Sequence, residues 1–150
     1  MLEENIIHKK SAGGIVCCSK GKILTLNVTR YGEIVFTKGI IEPGESSESA
    51  AVREVLEETG YHVKVKAPLG EVSYEFDEDD GKRYRKTVYH YLLELVDENE
   101  IPKPNREAHE NDEGIENLWL SVEDARERLT HEASKQKLEE AIALLGDSAS

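Results

Sequence analysis

The strongest constraint on the fold is the position of one helix among strands. Between the run EIVF (33–36) and the alternating run YHVKVKAPL (61–69), the segment SESAAVREVLEET recurs with helical period. Ala50, Ala51 and Val55 fall on its apolar side with Leu56 flanking. Ser46 or Ser47 suits its N-cap and Gly60 its C′ position. Before it, SAGGIVCC (11–18) and KILTLNV (22–28), joined by SKG, predict a hairpin. After it, GEVSYEF and KTVYHYLLEL (86–95) predict two strands around the acidic turn DEDDG, and IENLWLS predicts a last strand. Ser121, with Asp124 three positions on, predicts the start of a short helix. Glu132 to Leu145 predicts a terminal helix with Ala133, Leu138, Ala141, Ile142 and Leu145 inward, ended by Gly146 before a polar tail. Helices do not alternate regularly with strands in this order. The expectation is α+β, or an α/β sandwich on a mixed sheet, and not a doubly wound sheet.

Composition narrows the function. With 150 residues and no repeat, linker or low-complexity block, the chain is read as a single domain over 1–150, with 146–150 as polar tail. No apolar run is long enough to cross a bilayer, and MLEENIIHKK has no signal-peptide h-region. A soluble, cytoplasmic protein is expected. The net charge is -12, which repels nucleic-acid backbones and speaks against broad nucleic-acid binding. A small phosphate-bearing ligand stays admissible, because a divalent cation or a local basic patch reverses the sign of one pocket. Cys17 and Cys18 are adjacent and point to opposite faces of a strand, so they are expected as two thiols in a reducing compartment. The histidines have no zinc spacing, and DEDDG lacks the EF-hand pattern because Phe76 stands where the first ligand belongs.

Glu54, Glu57 and Glu58 sit at i, i+3 and i+4 and share one face of the predicted helix. An ordinary solvated acidic face is the plain explanation. Three penalties weigh against it. Like charges at this spacing repel. The helix dipole disfavours anions in the last turns. No lysine stands four residues on to relieve them. A cation among the carboxylates removes all three penalties, and hard oxygen ligands at this density suit Mg²⁺ or Mn²⁺.

The segment GIIEPGESSESAAVREVLEETGY resembles the Nudix box: Gly39, Glu45, Arg53, Glu54, Val55, Glu57, Glu58, Gly60 and, as a looser match, Tyr61 occupy its constrained positions. SAGGIV, KTVYHYLL and ENLWLSVEDA resemble flanking elements of the same family, so the resemblance covers nearly the whole chain. It implies the Nudix α/β/α sandwich and a hydrolase that cleaves a nucleoside diphosphate linked to a moiety X, using water and Mg²⁺ or Mn²⁺. Metal ions neutralise the pyrophosphate charge and lower the pKa of a bound water. By resemblance, Glu54 and Glu58 are the main metal ligands, Glu57 lies beside them, and a backbone carbonyl of Lys38 or Gly39 adds a ligand. Arg53 pairs with Glu45 and fixes the loop on the helix; the plain alternative is a surface arginine. The general base comes either from the box, as Glu54 or Glu57, or from the loop before Trp119, where Glu110, Asp112 and Glu113 stand and Glu113 is favoured. For that loop a solvated acidic segment is the plain alternative.

The substrate is read from the surrounding residues. Relatives acting on diadenosine polyphosphates or diphosphoinositol phosphates carry Pro-Lys-Gly where this chain has Thr37, Lys38 and Gly39, and Ile34 stands where an aromatic is frequent. A less rigid loop is expected. KRYRK (82–86) is the one dense basic cluster. Alternation puts Lys86, Val88 and His90 on one face and Tyr89 and Tyr91 on the other. By resemblance to dinucleoside-tetraphosphate hydrolases, Lys86 meets phosphate, with Lys38 and Arg83 alongside, and Tyr89 and Tyr91 stack on adenine. The plain alternatives are core packing for both tyrosines and a hairpin flank for Arg83 and Arg85. Diadenosine tetraphosphate, cleaved to ATP and AMP, is the favoured substrate. Nucleoside triphosphates, RNA 5′-pyrophosphate, diphosphoinositol phosphates and a non-catalytic nucleotide-binding module are the alternatives.

Overall fold

The computed structural model describes residues 5–104 and 114–149, the last three by backbone alone. Its frame is one seven-stranded sheet. The central strand, β1 (Ile6–Cys17), is buried continuously from Ser11 onward. It therefore reads as an unbroken run of small and apolar residues, as a strand covered on both faces must. On one edge it runs parallel to β6 (Arg83–Leu95). Its other edge is shared. Ser11–Gly14 pair with β4 (Thr37–Ile40), while Val16 and Cys17 pair with β2 (Ile23–Val28). β2 also carries β3 (Glu33–Val35) and β7 (Ile115–Leu120), and β5 (Val63–Asp77) lies outside β6. Every pair except β1–β6 is antiparallel, so the sheet is mixed.

One helix, α1 (Ser47–Thr59), covers one face, where Ala50, Ala51 and Val55 pack with Ala12, Val16 and Leu93. The other face carries α2 (Val122–Arg128) and α3 (Glu132–Ala149), whose Ala125, Leu129, Leu138 and Ala141 share a core with Ile15 and Leu92. The α/β/α sandwich on a mixed sheet is thus the architecture. Cys17 faces the α2–α3 core and Cys18 the α1 core, and both are free thiols. Among the described residues no helix is long and apolar enough to cross a membrane.

Four local expectations are corrected. The runs 61–69 and 70–76 fall in one strand, β5, with register shifts between Val65 and Ala67 and between Pro68 and Glu71. Pro68 lacks a ladder donor and Gly70 takes φ +81°, so the strand bulges there without ending. The start of the glycine-rich loop is β4, tied to β1, and Thr37 is buried, so this part is not loosened by the missing proline. Helix α3 runs through Gly146 to Ala149. Ala133, expected inward, is exposed, because the first turn of α3 precedes its contact with the sheet.

Candidate active site

The site is built where α1 meets β4. Ser46 caps α1 with its hydroxyl, which accepts from the Ser49 N–H at 3.1 Å. Gly60 ends the helix in the left-handed region at φ +83°, its N–H donating to the Leu56 carbonyl. Between the caps, Ala50, Ala51 and Val55 fix the rotation of α1 on the sheet. That rotation turns Glu54 onto β4 and leaves Arg53, Glu57 and Glu58 along the edge of a cleft. The cleft measures about 490 Å³ and is lined by Lys38, Gly39, Ile40, Glu42 and the four α1 residues Arg53, Glu54, Glu57 and Glu58.

Arg53 ties these parts together. Its Nε and Nη2 donate to the two oxygens of Glu45 at 2.8 and 3.0 Å, a bidentate pair. Nη2 also donates to the Ile40 carbonyl at 2.9 Å. Nη1 donates to Glu54 Oε1 at 2.8 Å and reaches both Glu57 oxygens at 3.3 Å. The Glu42 N–H donates to Glu45 Oε1 at 3.1 Å. One guanidinium thus joins the loop, the end of β4 and two helical carboxylates. The Arg53 hydrogen bond, followed by the Glu42 N–H, holds the Glu45 carboxyl below the usual carboxylate range. The surrounding carboxylates, Glu45 first, raise the basicity of Arg53 in turn.

Glu54 is 4% exposed. Its Oε2 is buried with no hydrogen-bond partner among the described residues. A buried carboxylate oxygen in that state costs free energy unless a proton or a cation meets it. The carboxylate lies against Gly39, where an added Cβ would stand 2.0–2.3 Å from its atoms, so only glycine admits it. Among the described residues no three acidic, histidine or cysteine side chains form a ready metal cage; Arg53 bridges Glu54 and Glu57 instead. The donor set still fits a hard cation, since it offers carboxylate oxygens only and one of them has no partner.

The remaining predicted residues fall on two faces. Alternation along β4 turns Gly39 toward α1 and Lys38 the other way. There burial, followed by the positive charges of Lys38 and Lys9, lowers the Lys86 pKa. His90 shares this face. Burial, Lys137 and Lys38 push it down to about 4, so it is neutral at pH 7. Tyr91 is buried on the α1 side, its hydroxyl meeting that of Ser47, and Tyr89 packs against the same core. The two tyrosines therefore stand across the sheet from Lys86. Arg83 is paired with Glu75 at 3.1 Å and Asp77 at 2.9 Å on the hairpin. Ile34 is buried in the α2–α3 core. Glu110, Asp112 and Glu113 lie outside the described residues. Sequence reasoning missed Glu42, the Ile40 carbonyl and Lys9. Glu42 lies within the quoted box and was legible there, whereas Lys9 is brought to Lys86 only by the parallel β1–β6 pairing.

A family model described as the NUDIX domain matches residues 7–142. The chain is 33% identical over 148 residues to the putative mutator protein MutT4 of Mycobacterium tuberculosis, covering 93% of this chain and 56% of that protein. It is 59% identical over 32 residues to a putative 8-oxo-dGTP diphosphatase of Bacillus subtilis, 21% of this chain and 22% of that one. The chain therefore spans about half the length of the first relative and about a fifth of the second. Among solved structures, a binary complex of a C. elegans Ap4A hydrolase superposes with a TM-score of 0.69 at 21% identity, covering 93% of this chain and 98% of that one. At that identity the likeness establishes the fold.

Proposed function

Because the chain belongs to the Nudix family, we propose that it is a metal-dependent pyrophosphohydrolase acting on a nucleoside diphosphate linked to X, with dinucleoside polyphosphates such as diadenosine tetraphosphate as the substrate class. The observation that carries this reading is Glu54. Its buried Oε2 has no hydrogen-bond partner among the described residues and lies in a cleft whose loop is locked by Arg53. In this reading Glu54 and Glu58 hold Mg²⁺ or Mn²⁺, with Glu57 beside them and a carbonyl of Lys38 or Gly39 as a further donor. The bound cation supplies charge neutralisation of the pyrophosphate and acidification of water. Glu54 or Glu57, or Glu113, which lies outside the described residues, accepts the proton of the attacking water. Arg53 and Glu45 keep the loop on α1, so that the carboxylates hold their spacing through the reaction. Lys38 and Lys86 offset phosphate charge on the substrate side.

The similarity to a putative 8-oxo-dGTP diphosphatase within a short segment favours a second reading, hydrolysis of nucleoside triphosphates. Product analysis separates the two. The panel is diadenosine tetraphosphate, nucleoside triphosphates, ADP-ribose, a triphosphorylated RNA oligomer and a diphosphoinositol phosphate, with Mg²⁺ or chelator. The expected result is ATP plus AMP from the tetraphosphate, lost with chelator and in Glu58→Gln. Glu57→Gln and Glu113→Gln then assign the base. Preferred turnover of a triphosphate moves the substrate to the second reading. Nucleotide binding without turnover of any member makes the chain a binding module.

A further inference from the structure

Among the described residues, Thr25, Thr37 and Thr59 are buried. A buried hydroxyl without a partner costs free energy, so each is expected to find an acceptor. Two of them do. Thr25 donates to the Leu118 carbonyl at 2.7 Å, and Thr59 donates to the Val55 carbonyl at 2.7 Å. Thr37 is 5% exposed, yet its Oγ1 has no hydrogen-bond partner among the described residues. It stands on a strand, where no carbonyl one turn back is at hand as Val55 is for Thr59.

Register fixes where this hydroxyl lies. Thr37 pairs with Gly14 across the antiparallel β1–β4 ladder, and directly opposed residues share a face. A Cβ at Gly14 would stand 2.6 Å from Leu93 Cδ1, and Leu93 belongs to the α1 core. Thr37 therefore faces α1. So does Gly39, two residues on and about 7 Å along the strand, and Gly39 lies against the Glu54 carboxylate. On this seam Glu54 Oε2 is likewise buried without a hydrogen-bond partner among the described residues. One group is a donor and the other an acceptor, and they do not meet.

The charges around Glu54 explain what joins them. Arg53 Nη1 holds Glu54 Oε1 at 2.8 Å and also reaches Glu57 at 3.3 Å. A divalent cation among these carboxylates repels that guanidinium and competes with it for them. A carboxylate that turns from Arg53 to a cation keeps further lone pairs to fill. A neutral hydroxyl fills one of them without adding positive charge beside the cation.

We propose that Thr37 is a positioning residue for the cation site: with a divalent cation in the cleft, its hydroxyl donates to the Glu54 carboxylate and holds that group as a ligand. Ligating carboxylates are oriented in this way by hydrogen bonds from outside the coordination shell. The role rests on the metal reading above and adds a group that the acidic helix face does not contain. A proline at this position would bring no side-chain donor, so the hold on Glu54 belongs to a chain with a hydroxyl here.

Two measurements on the full chain test this: titration with Mn²⁺, the free ion being counted by electron paramagnetic resonance, and urea unfolding in chelator. Thr37→Val keeps the shape of the side chain and removes the hydroxyl. In chelator its urea midpoint is expected to equal or exceed that of the wild type, because an unmet buried group is gone. Its Mn²⁺ affinity is expected to fall about tenfold, the scale of a lost outer partner of a metal ligand. Thr37→Ser keeps the donor and is expected to restore most of that affinity. Unchanged Mn²⁺ affinity in Thr37→Val, beside a wild type that binds the ion, overturns the proposal and leaves the metal reading standing. A lower urea midpoint for Thr37→Val in chelator also overturns it, since the hydroxyl then has a partner without the cation. A wild-type chain that binds no Mn²⁺ overturns both.

Discussion

At the scale of single residues, two positions carry the tightest constraints. Gly39 is fixed by space, because a methyl group there would overlap the Glu54 carboxylate. Gly39→Ala is expected to cost about 1–3 kcal/mol of stability by overpacking, read from urea denaturation, and to remove any stabilisation by Mg²⁺. An alanine variant with wild-type stability and metal response would show that Glu54 is not held as described. His90 is fixed by environment. Its folded-state pKa of about 4 lies below the ordinary value of about 6.5, so the unfolded chain takes up the proton first. The stability it contributes is complete above about pH 6.5 and is lost as the pH falls toward 4. Between pH 7 and pH 5 the wild type should lose about 1–2 kcal/mol more than His90→Asn. Parallel losses in the two proteins would contradict this. The Arg53–Glu45 pair was legible in the sequence because both fall at constrained positions of one motif. The Tyr91–Ser47 contact was not, since a strand's alternation says which residues share a face but not which face is covered.

At the scale of elements, α1 was legible at its caps, to one of two adjacent serines at its start and to Gly60 at its end, because a capping serine and a left-handed glycine are local signals. The end of α3 was misread for the opposite reason: a glycine near the end of a periodic run looks like a stop whether or not the chain turns there. Gly146 lies inside the helix, and an added Cβ would meet nothing within 4 Å. Gly146→Ala is therefore expected to stabilise the protein by up to about 0.5–1 kcal/mol, visible as a higher midpoint in thermal melts. A drop in the midpoint would instead restore a stop at this position. β5 shows the same limit. Pro68 and Gly70 read as a break, but the ladder to β6 resumes at Glu71 because thirteen residues of partner strand hold it.

At the scale of the whole molecule, the sheet separates two kinds of charge. Carboxylates line the α1 side, while Lys9, Lys38 and Lys86 stand on the other, and β4 lies between them. If Glu54 and Glu58 hold a cation, binding couples to folding. Mg²⁺ at a hundredfold excess over its dissociation constant should add about 2.7 kcal/mol, and the shift in melting temperature should vanish in Glu54→Gln. Equal melting of the wild type in Mg²⁺ and in chelator would remove the metal role from these carboxylates.

The sequence by itself determined the helix, its C-terminal cap and the acidic face, because spacing along one chain segment sets these, and the resemblance of that segment to a family motif added the Arg53–Glu45 pair. It also determined the layered class, through the order of strands and helices. Only the tertiary structure decided which face of β6 meets α1, which tyrosine rings are buried, and that Lys9 stands beside Lys86. Those outcomes depend on strand register between segments more than seventy residues apart. Register is chosen by the packing of both sheet faces at once, which no single segment encodes.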